Sequence, residues 1–487
     1  MTARFTVDDV LGACAGRLLS RGACDVFEGI STDSRTISPG SLFVALKGER
    51  FDAHAFVAEA FTKGAAGAVV RGGAEIPAGC RGAGALIEVD DTLAALGALA
   101  RLHRDRFAIP LGAVAGSNGK TTTKEMVAAI LATRGGGLAT EGNLNNEVGV
   151  PLTLLRLDPS HRAAVVELGM SNPGELARLT AIAKPTAGLV TLVAEEHLEF
   201  LKNLEGVAEA EGELYRGLSE GAIAVVNADD PRCVAQAERV GPGVKRILFG
   251  RSPEADVRLL RVTPLGMEGQ EIVLEGEEGE GGAGRLRSGG KLQRSRVQRS
   301  VRLSFVGEHN AMNAVAAAAL ARALSFSFEE ISIGLAAAKP YLHRSGVLVT
   351  PSGITILDDC YNANPSSMAA ALRMLRSVGG KGRTVAVLGD MLELGTSEEA
   401  EHRALGERAA RAADIVAFFG PRTVGAFEAA KTAGLFADMA THVIEVEALL
   451  AWLKPHLRAG DTVLVKGSRG MKLERVVEAL LGAPEVG

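Results

Sequence analysis

Cysteines, aromatic residues, long apolar runs and an excess of basic charge are all missing or scarce in this sequence. Five cysteines in 487 residues, with no Cys-x-x-Cys pair, argue against a disulfide framework and favour a reducing compartment. Aromatic residues make up 4%, whereas alanine and glycine are abundant, which suits tightly packed α/β layers. The net charge of −5 disfavours a nucleic-acid binder. No apolar run is long enough to span a bilayer, so we expect a soluble cytoplasmic protein.

The chain does contain a repeated alternation of short apolar runs and helical segments, which is typical of parallel α/β sheets. Its length predicts two to four domains. We divide it into a small α/β module over 1–88, a larger parallel-sheet region over 89–346 and a third α/β unit over 347–487. Residues from about 265 to 300 are Gly-rich, first acidic and then basic, and predict a long exposed or flexible insertion.

Individual elements can be placed from the apolar runs. Strands are predicted at 41–46, 64–70, 111–115, 163–169, 186–193, 221–230, 353–359, 383–390, 414–420 and 461–467. A helix is predicted over NPSSMAAALRMLRSV, with Asn364 or Ser366 as its N-cap. The order of strands and helices predicts three α/β domains in series.

The segment AVAGSNGKTTTKEM, beginning at Ala113, places a Gly-rich turn between an apolar strand and a helix. Backbone N–H groups of such a turn form an anion cradle at the helix N-terminus. Lys120 adds a positive charge for the outer phosphates, and the Thr121 hydroxyl is suited to hold Mg²⁺. Val114 stands where the strict P-loop pattern has its first glycine, but the shorter G-x-x-G-K-T form remains. This context favours ATP binding over a plain connecting turn.

Other polar residues follow the ends of neighbouring predicted strands. Glu167 ends the run VVELGM, and His197 comes just past another strand end. Parallel sheets bind ligands at this edge, where a carboxylate can coordinate the metal of ATP. The alternatives are a glutamate that caps the following turn and a structural histidine. The Asn-rich segment TEGNLNNEVGVPLTLL over 140–155 suits sugar or amide recognition, with a plain turn cluster as the alternative.

These motifs together resemble those of the Mur ligases. In chain order they are GSNGKTTTKEM, TEGNLNNEVGVPLTLL, ELGMSNPGEL, GEHNAMNAVAAAA and LDDCYNANPSSM. The early STDSRTISPGSLFVALKGERFDAH and the late VAVLGDMLELG and LVKGSRGMKL extend the resemblance over nearly the whole chain, apart from the 265–300 insertion. The YNANPSSM and TEGNLNNE segments separate it from sibling ligases. The DNPR segment typical of the diaminopimelate-adding sibling is not found.

The resemblance implies a fold and a reaction. The three domains would be a UDP-substrate-binding domain, a central ATP-binding ligase domain and a C-terminal Rossmann-like domain. ATP and Mg²⁺ are the implied cofactors, and UDP-MurNAc-tripeptide and D-alanyl-D-alanine the implied substrates of a monomeric enzyme. The tripeptide carboxylate would attack the ATP γ-phosphate, and the dipeptide amine would then attack the acyl phosphate. The alternatives are another ligase of the Mur/folylpolyglutamate superfamily and a P-loop regulatory ATPase.

The resemblance also assigns roles to residues, motif by motif. Nucleotide binding falls to Gly116, Ser117, Asn118, Gly119, Lys120, Thr121, Thr122, Asn310 (adenine) and Asp359 (ribose). The metal ions would be held by Thr121, Glu167, His197 and Glu211, and the catalytic set is Lys120, His197, Glu211 and Arg344. The uridine-diphosphate site would comprise Ser31, Asp33, Ser34, Arg35 and Lys47. Other substrate contacts would come from Asn143, Asn145, Asn146, Asn362 and Asn364.

Three segments depart from the family pattern. The motif around Arg344 reads LHRSG, where the family has a Gly-Arg context. Ala194 and Glu195 stand in a stretch that usually carries an asparagine. Glu211 replaces a lysine that is carbamylated in several Mur ligases. We hypothesise that Glu211 supplies a built-in carboxylate for the second metal. The alternative is an exposed glutamate, with water holding that metal.

Overall fold

The computed structural model describes residues 3–48, 51–77, 79–277, 296–379 and 382–482, and all that follows concerns these residues. Three large sheets follow one another along the chain, formed from segments within 17–89, 111–303 and 346–466. The predicted three-part α/β fold is therefore confirmed. The exact domain boundaries at 88/89 and 346/347 stay predictions. Among the described helices, none is both long and apolar enough to cross a membrane.

The first region contains a five-stranded sheet and a small two-stranded one. Its strands are β1 (Arg4–Thr6), β2 (Arg17–Ser20), β3 (Val26–Glu28), β4 (Ile30–Ser31), β5 (Leu42–Val44), β6 (Gly67–Arg71) and β7 (Ala85–Val89). Its helices are α1 (Val7–Cys14), α2 (Val57–Thr62) and α3 (Thr92–Arg104). The order is β2-β7-β6-β5-β4, parallel except for β2, and β1 pairs with β3. Helix α3 packs against α1 and also against the helices Gly149–Leu154 and Glu175–Ala183 of the second region, and so ties the two regions together.

The second region is built on a nine-stranded sheet. Its strands are β8 (Leu111–Ala115), β9 (Gly137–Ala139), β10 (Ala163–Glu167), β11 (Ala187–Val190), β12 (Ile223–Asn227), β13 (Lys245–Gly250), β14 (Val257–Pro264), β15 (Gln270–Glu277) and β16 (Arg296–Leu303). Its helices are α4 (Lys120–Ala132), α5 (Gly149–Leu154), α6 (Glu175–Ala183), α7 (Leu198–Leu201), α8 (Leu204–Arg216), α9 (Pro231–Ala237), α10 (Glu308–Ala323) and α11 (Phe328–Ala337).

The strand order in this sheet is β16-β15-β14-β13-β12-β11-β8-β10-β9, parallel from β9 to β14. The chain leaves β8 toward β10 on one side and returns to β11 on the other. Strand order therefore reverses beside β8, which is where open α/β sheets bind ligands. Helix α10 packs on this sheet and against α4, and its residues 314–321, mostly alanine, are all buried. These small side chains allow close contact between helix and sheet.

The predicted exposed insertion over 265–300 is wrong in part. Residues 270–277 and 296–303 form the antiparallel strands β15 and β16, which extend the sheet. Every second residue of β15 is buried, including Ile272 and Leu274, so one face of this strand packs against the core and the other is more exposed. The Gly-rich, charged composition of the whole segment obscured this period of two. Residues 278–295, the other part of that prediction, lie outside the described residues.

The third region is a six-stranded sheet with helices on both faces. Its strands are β17 (Gly346–Val349), β18 (Thr355–Asp358), β19 (Thr384–Gly389), β20 (Ile415–Phe419), β21 (Ala440–Val443) and β22 (Thr462–Lys466). Its helices are α12 (Pro365–Val378), α13 (Glu398–Ala412), α14 (Val424–Thr432), α15 (Val446–His456) and α16 (Glu474–Leu481). The order is β17-β18-β22-β19-β20-β21, parallel except for β17. Of the two predicted N-caps, Asn364 caps α12, and it forms a capping box with Ser367.

Candidate functional site

A cleft of about 900 Å³ lies between the second and third sheets. Polar residues from both regions line it. From the second region these include Ser117, Asn118, Gly119, Lys120, Thr122, Asn145, Asn146, Glu167, Glu196, His197, Asn310 and Asn313. From the third region and its approach they include Arg344, Asp359, Asn362, Asn364, Ser366 and Lys466. Most of the predicted nucleotide, metal and catalytic residues therefore meet in one place.

The Gly-rich turn after β8 requires glycine at two positions. Gly116 and Gly119 have φ values of 116° and 83°. A Cβ on Gly116 would lie 2.1 Å from the Thr191 hydroxyl, and one on Gly119 would lie 2.2 Å from the Asn313 side-chain oxygen. Helix α4 then begins at Lys120, and none of the described side chains caps it. Its first N–H groups are thus free to bind an anion.

The segment that follows β11 fixes this turn. The Ser117 hydroxyl donates to the Ala194 carbonyl at 3.1 Å and accepts from the Ala194 N–H at 2.9 Å. The Thr191 hydroxyl donates to the Asn118 carbonyl at 2.6 Å. The two Ser117 hydrogen bonds use only the backbone of Ala194. The hydrogen bonds that position the Gly-rich turn therefore do not require an asparagine side chain at this position.

Lys120 lies in an electrostatically negative setting. Its ammonium donates to the Gly116 carbonyl at 2.5 Å and lies 3.6 Å from Glu196 Oε2. Burial alone would lower the pKa of Lys120, but the carboxylates of Glu196, Glu211 and Glu167 raise it above its usual value. The side chain is therefore a fixed cation at the mouth of the anion cradle.

Three buried carboxylates surround this lysine, and each has hydrogen-bonding capacity left over. Glu167, Glu196 and Glu211 are 2%, 8% and 2% exposed. Each has one buried oxygen with no hydrogen-bond partner among the described residues. Burial raises the pKa of Glu211, Lys120 opposes the shift, and the nearby carboxyl of Glu196 reinforces it. Unpaired carboxylate oxygens in a buried site are the donor set of a hard divalent cation, so these residues fit Mg²⁺.

The two remaining predicted metal ligands, Thr121 and His197, lie beside this cluster. Thr121 is in the first turn of α4 and is buried. His197 is the N-cap residue of α7, with a left-handed backbone (φ 51°). Its Nε2 lies 3.9 Å from Glu196 Oε2. At the end of β10, Glu167 accepts a hydrogen bond from the Asn145 side chain at 2.8 Å.

Asn310 and Asp359 lie on opposite sides of the cleft. Asn310, at the start of α10, donates to the Val306 carbonyl at 2.8 Å and accepts from Asn313. Asp359, just after β18, accepts from Lys466 Nζ at 2.7 Å and from the Ser345 N–H at 3.1 Å. Both side chains are thus held rigidly, as a binding residue needs to be.

Arg344 precedes β17 and lines the cleft. Its guanidinium lies 4.0 Å from the centre of the Tyr361 ring. The Nε atom is buried without a hydrogen-bond partner among the described residues. A planar cation stacked on an aromatic ring, with donor capacity left over, is suited to bind a phosphate or carboxylate.

The predicted substrate asparagines differ in what they do. Four of them line the cleft: Asn145, Asn146, Asn362 and Asn364. Asn146 accepts from the N–H groups of Val148 and Gly149 and so supports the start of α5. Asn364 caps α12 and exchanges hydrogen bonds with Asn118 across the cleft, at 3.1 and 3.3 Å. Asn143 is not among the described residues that line the cleft.

The predicted uridine-diphosphate residues are elsewhere. None of Ser31, Asp33, Ser34, Arg35 and Lys47 lines this cleft. Ser31 ends β4 and Lys47 follows β5, and these strands are parallel neighbours. Arg35 pairs with Asp33 at 2.7 Å, and Lys47 lies 3.7 Å from Asp52. They form a separate polar group at the carboxyl edge of the first sheet.

Sequence reasoning missed several charged residues of the cleft, among them Glu196 and Lys466. Glu196 directly precedes His197, and Lys466 is the last residue of β22. Lys466 is buried and hydrogen-bonded to Asp359 and to the Asn362 carbonyl. Both follow or end apolar strands, which is the signal that identified Glu167. Applying that rule to every strand end would have found them.

Comparison with known proteins agrees with this geometry. Three family profiles match in succession: "Mur ligase family, catalytic domain" over 26–104, "Mur ligase middle domain" over 114–321 and "Mur ligase, glutamate ligase domain" over 343–469. The UDP-N-acetylmuramoyl-tripeptide--D-alanyl-D-alanine ligase of Escherichia coli (strain K12) is 38% identical over 464 residues, 94% of this chain and 95% of that protein.

Solved structures extend the similarity to the fold. A crystal structure of MurF from Acinetobacter baumannii has a TM-score of 0.85 and 32% identity, covering 99% of both chains. MurF ligase from Thermotoga maritima, in complex with ADP, has a TM-score of 0.77 and 28% identity, covering 93% of this chain and 97% of that one. The similarity thus includes all three sheets and the cleft.

Proposed function

The chain belongs to the Mur ligase family, and we propose that it joins D-alanyl-D-alanine to UDP-N-acetylmuramoyl-tripeptide in a reaction that consumes ATP. The observation that carries the proposal is the anion cradle at α4, where Lys120 shares one cleft with Arg344. The buried carboxylates of Glu167, Glu196 and Glu211 lie around Lys120. The product would be the UDP-MurNAc-pentapeptide of peptidoglycan synthesis. We also propose that the protein acts as a monomer in the cytoplasm.

The proposed reaction has two steps. The terminal carboxylate of the tripeptide attacks the γ-phosphorus of ATP, and ADP leaves, which gives an acyl phosphate. The amine of the dipeptide then attacks the acyl carbon, loses a proton as the amide forms, and expels phosphate. The reactants of the first step are both anions. Lys120 and Arg344 therefore contribute positive charge where they meet, and the cleft aligns them.

We propose Thr121, Glu167, His197 and Glu211 as the residues that hold Mg²⁺. The buried, unpartnered oxygens of Glu167 and Glu211 support this role. When bound, Mg²⁺ supplies charge neutralisation on the phosphates of ATP. Helix α8 presents Glu211 to the interior, so the hypothesis of an exposed glutamate does not fit. Its buried carboxylate takes the place of the carbamylated lysine of related enzymes.

The reaction can be tested directly. With ATP, Mg²⁺ and UDP-MurNAc-tripeptide, we expect phosphate release by the purified protein to require D-alanyl-D-alanine. Mass spectrometry should find the nucleotide product heavier by one dipeptide unit less water. Release that ignores both substrates would contradict the ligase proposal and favour a regulatory ATPase. Other amino acids and dipeptides as acceptors would reveal a different superfamily ligase.

We propose that the first sheet binds the uridine diphosphate, as the resemblance implies. Replacing Lys47 by alanine is expected to raise KM for the UDP-substrate about tenfold with little change in kcat, because the group contacts a remote part of the substrate equally throughout the reaction. Lys47 has only the distant Asp52 as an ion-pair partner among the described residues, so little structure depends on it. Steady-state kinetics at varied nucleotide-sugar concentration measures the effect.

The matched control is Lys245→Ala, which removes an exposed lysine at the start of β13. It should leave both parameters unchanged. Equal KM values for Lys47→Ala and the unchanged protein would contradict the placement of the uridine diphosphate on the first sheet.

A further inference from the structure

Two residues with left-handed backbones meet across the cleft. His197 has φ 51° and lies in the second region, whereas Glu393 has φ 63° and follows β19 in the third. The Glu393 carboxylate is hydrogen-bonded to His197 Nδ1. Residues other than glycine adopt this conformation where surrounding contacts impose it, often at functional sites. The chain thus maintains two unfavourable backbone conformations at one contact between regions.

The backbone reinforces this contact. The Glu199 N–H donates to the Glu393 carbonyl at 3.2 Å. A Cβ on Gly395, two residues further on, would lie 3.3 Å from the Glu199 Cα, so the loop after β19 lies directly on α7. Glu393 is therefore held against His197 by its main chain as well as its side chain.

The two nitrogens of the His197 ring face different partners. Nδ1 faces Glu393, and Nε2 faces the buried carboxylates, 3.9 Å from Glu196 Oε2. An ionised carboxylate can only accept hydrogen bonds, so in this pair Nδ1 is the donor and Glu393 the acceptor. An imidazole that donates from Nδ1 keeps its lone pair on Nε2, the form that binds a metal ion.

We propose that Glu393 is a positioning residue for the cation site: it fixes the tautomer and orientation of His197, and it does so from the third region. The cation site is then complete only when the third sheet has docked on the second. This inference rests on the proposed role of His197 as a metal ligand. It adds a carboxylate that neither the P-loop nor the strand ends of the second sheet supply.

The proposal can be tested by measuring cation affinity, with no need to run the ligation reaction. The full chain is titrated with Mn²⁺ in the presence of ADP, and free Mn²⁺ is measured by electron paramagnetic resonance. Glu393→Met should weaken Mn²⁺ binding about tenfold, since loss of a histidine's carboxylate partner typically costs 10–100-fold in metal affinity. Glu407→Met, at an exposed position on α13, is the matched control and should bind Mn²⁺ normally.

A double-mutant cycle with His197→Ala separates positioning from a structural role. If Glu393 acts through the imidazole, adding Glu393→Met to His197→Ala should change Mn²⁺ affinity no further. Unchanged affinity in Glu393→Met alone, or an equal additional loss in the double variant, would overturn the proposal. If Glu393→Met does not fold, Glu393→Gln replaces it in the cycle. Because no ligation is measured, failure of the proposed reaction would not alter this result.

Discussion

Replacing Lys120 by methionine is expected to lower the rate of ligation about a thousandfold. The side chain is the fixed cation of the anion cradle, 3.6 Å from Glu196 Oε2. Without it, the carboxylates of Glu167, Glu196 and Glu211 would lie near the phosphates with less positive charge from the protein to offset them. Loss of one preorganised electrostatic contact in an active site typically costs 10²–10³-fold, about 3–4 kcal/mol, and here the lost group carries a full charge.

The loss should appear in kcat with saturating ATP and both substrates, measured as dipeptide-dependent phosphate release. Lys454→Met, at an exposed position on α15, is the control and should retain full activity. Thermal unfolding of both variants shows whether the fold is intact. Activity of a folded Lys120→Met protein within a few-fold of the unchanged enzyme would refute the role given to Lys120.

The second large effect is expected at Glu211. Glu211→Ala should reduce the ligation rate about a hundredfold and weaken the apparent affinity for Mg²⁺, because a buried carboxylate with an unpartnered oxygen is removed from the cation site. Glu209→Ala is the matched control, since Glu209 lies on the same helix but is largely exposed and pairs with Arg239. The rate is measured across a range of Mg²⁺ concentrations.

Glu211→Lys provides a sharper version of this test. The lysine amine reacts with CO₂ to form a carbamate and release a proton, which restores a carboxylate at this position. We therefore expect activity that depends on added bicarbonate, whereas the unchanged protein should ignore bicarbonate. Full activity of Glu211→Ala would show that position 211 has no role in cation binding.

The parts of the site that the sequence predicts are those governed by local rules. Gly116, Gly119 and Lys120 follow from the chemistry of a phosphate-binding turn between a strand and a helix. Glu167 follows from the rule that parallel strands present ligands at their carboxyl ends. The cap at Asn364 follows from the preference for asparagine before a Pro-initiated helix. Each needs only a few neighbouring residues to be recognised.

The features that were missed depend on contacts between distant parts of the chain, or were hidden by the overall composition of a segment. The contact of Glu393 with His197 joins loops 196 residues apart in the chain, which no local pattern reports. Strands β15 and β16 were hidden because a charged, Gly-rich average masked the alternation of Ile272 and Leu274. Asn364 lines the cleft, as a substrate ligand would, and its side chain also forms hydrogen bonds with the start of α12 and with Asn118. Only the folded chain reveals these hydrogen bonds.

The amide pair formed by Asn118 and Asn364 has a kinetic consequence. Asn118 belongs to the Gly-rich turn after β8, which we propose binds the phosphates, and Asn364 is the N-cap residue of α12. While the pair persists, it ties the Gly-rich turn of the second region to the third region. We expect ADP release to require that the two Asn118–Asn364 hydrogen bonds break and the second and third regions separate. The rate of this separation would then limit kcat.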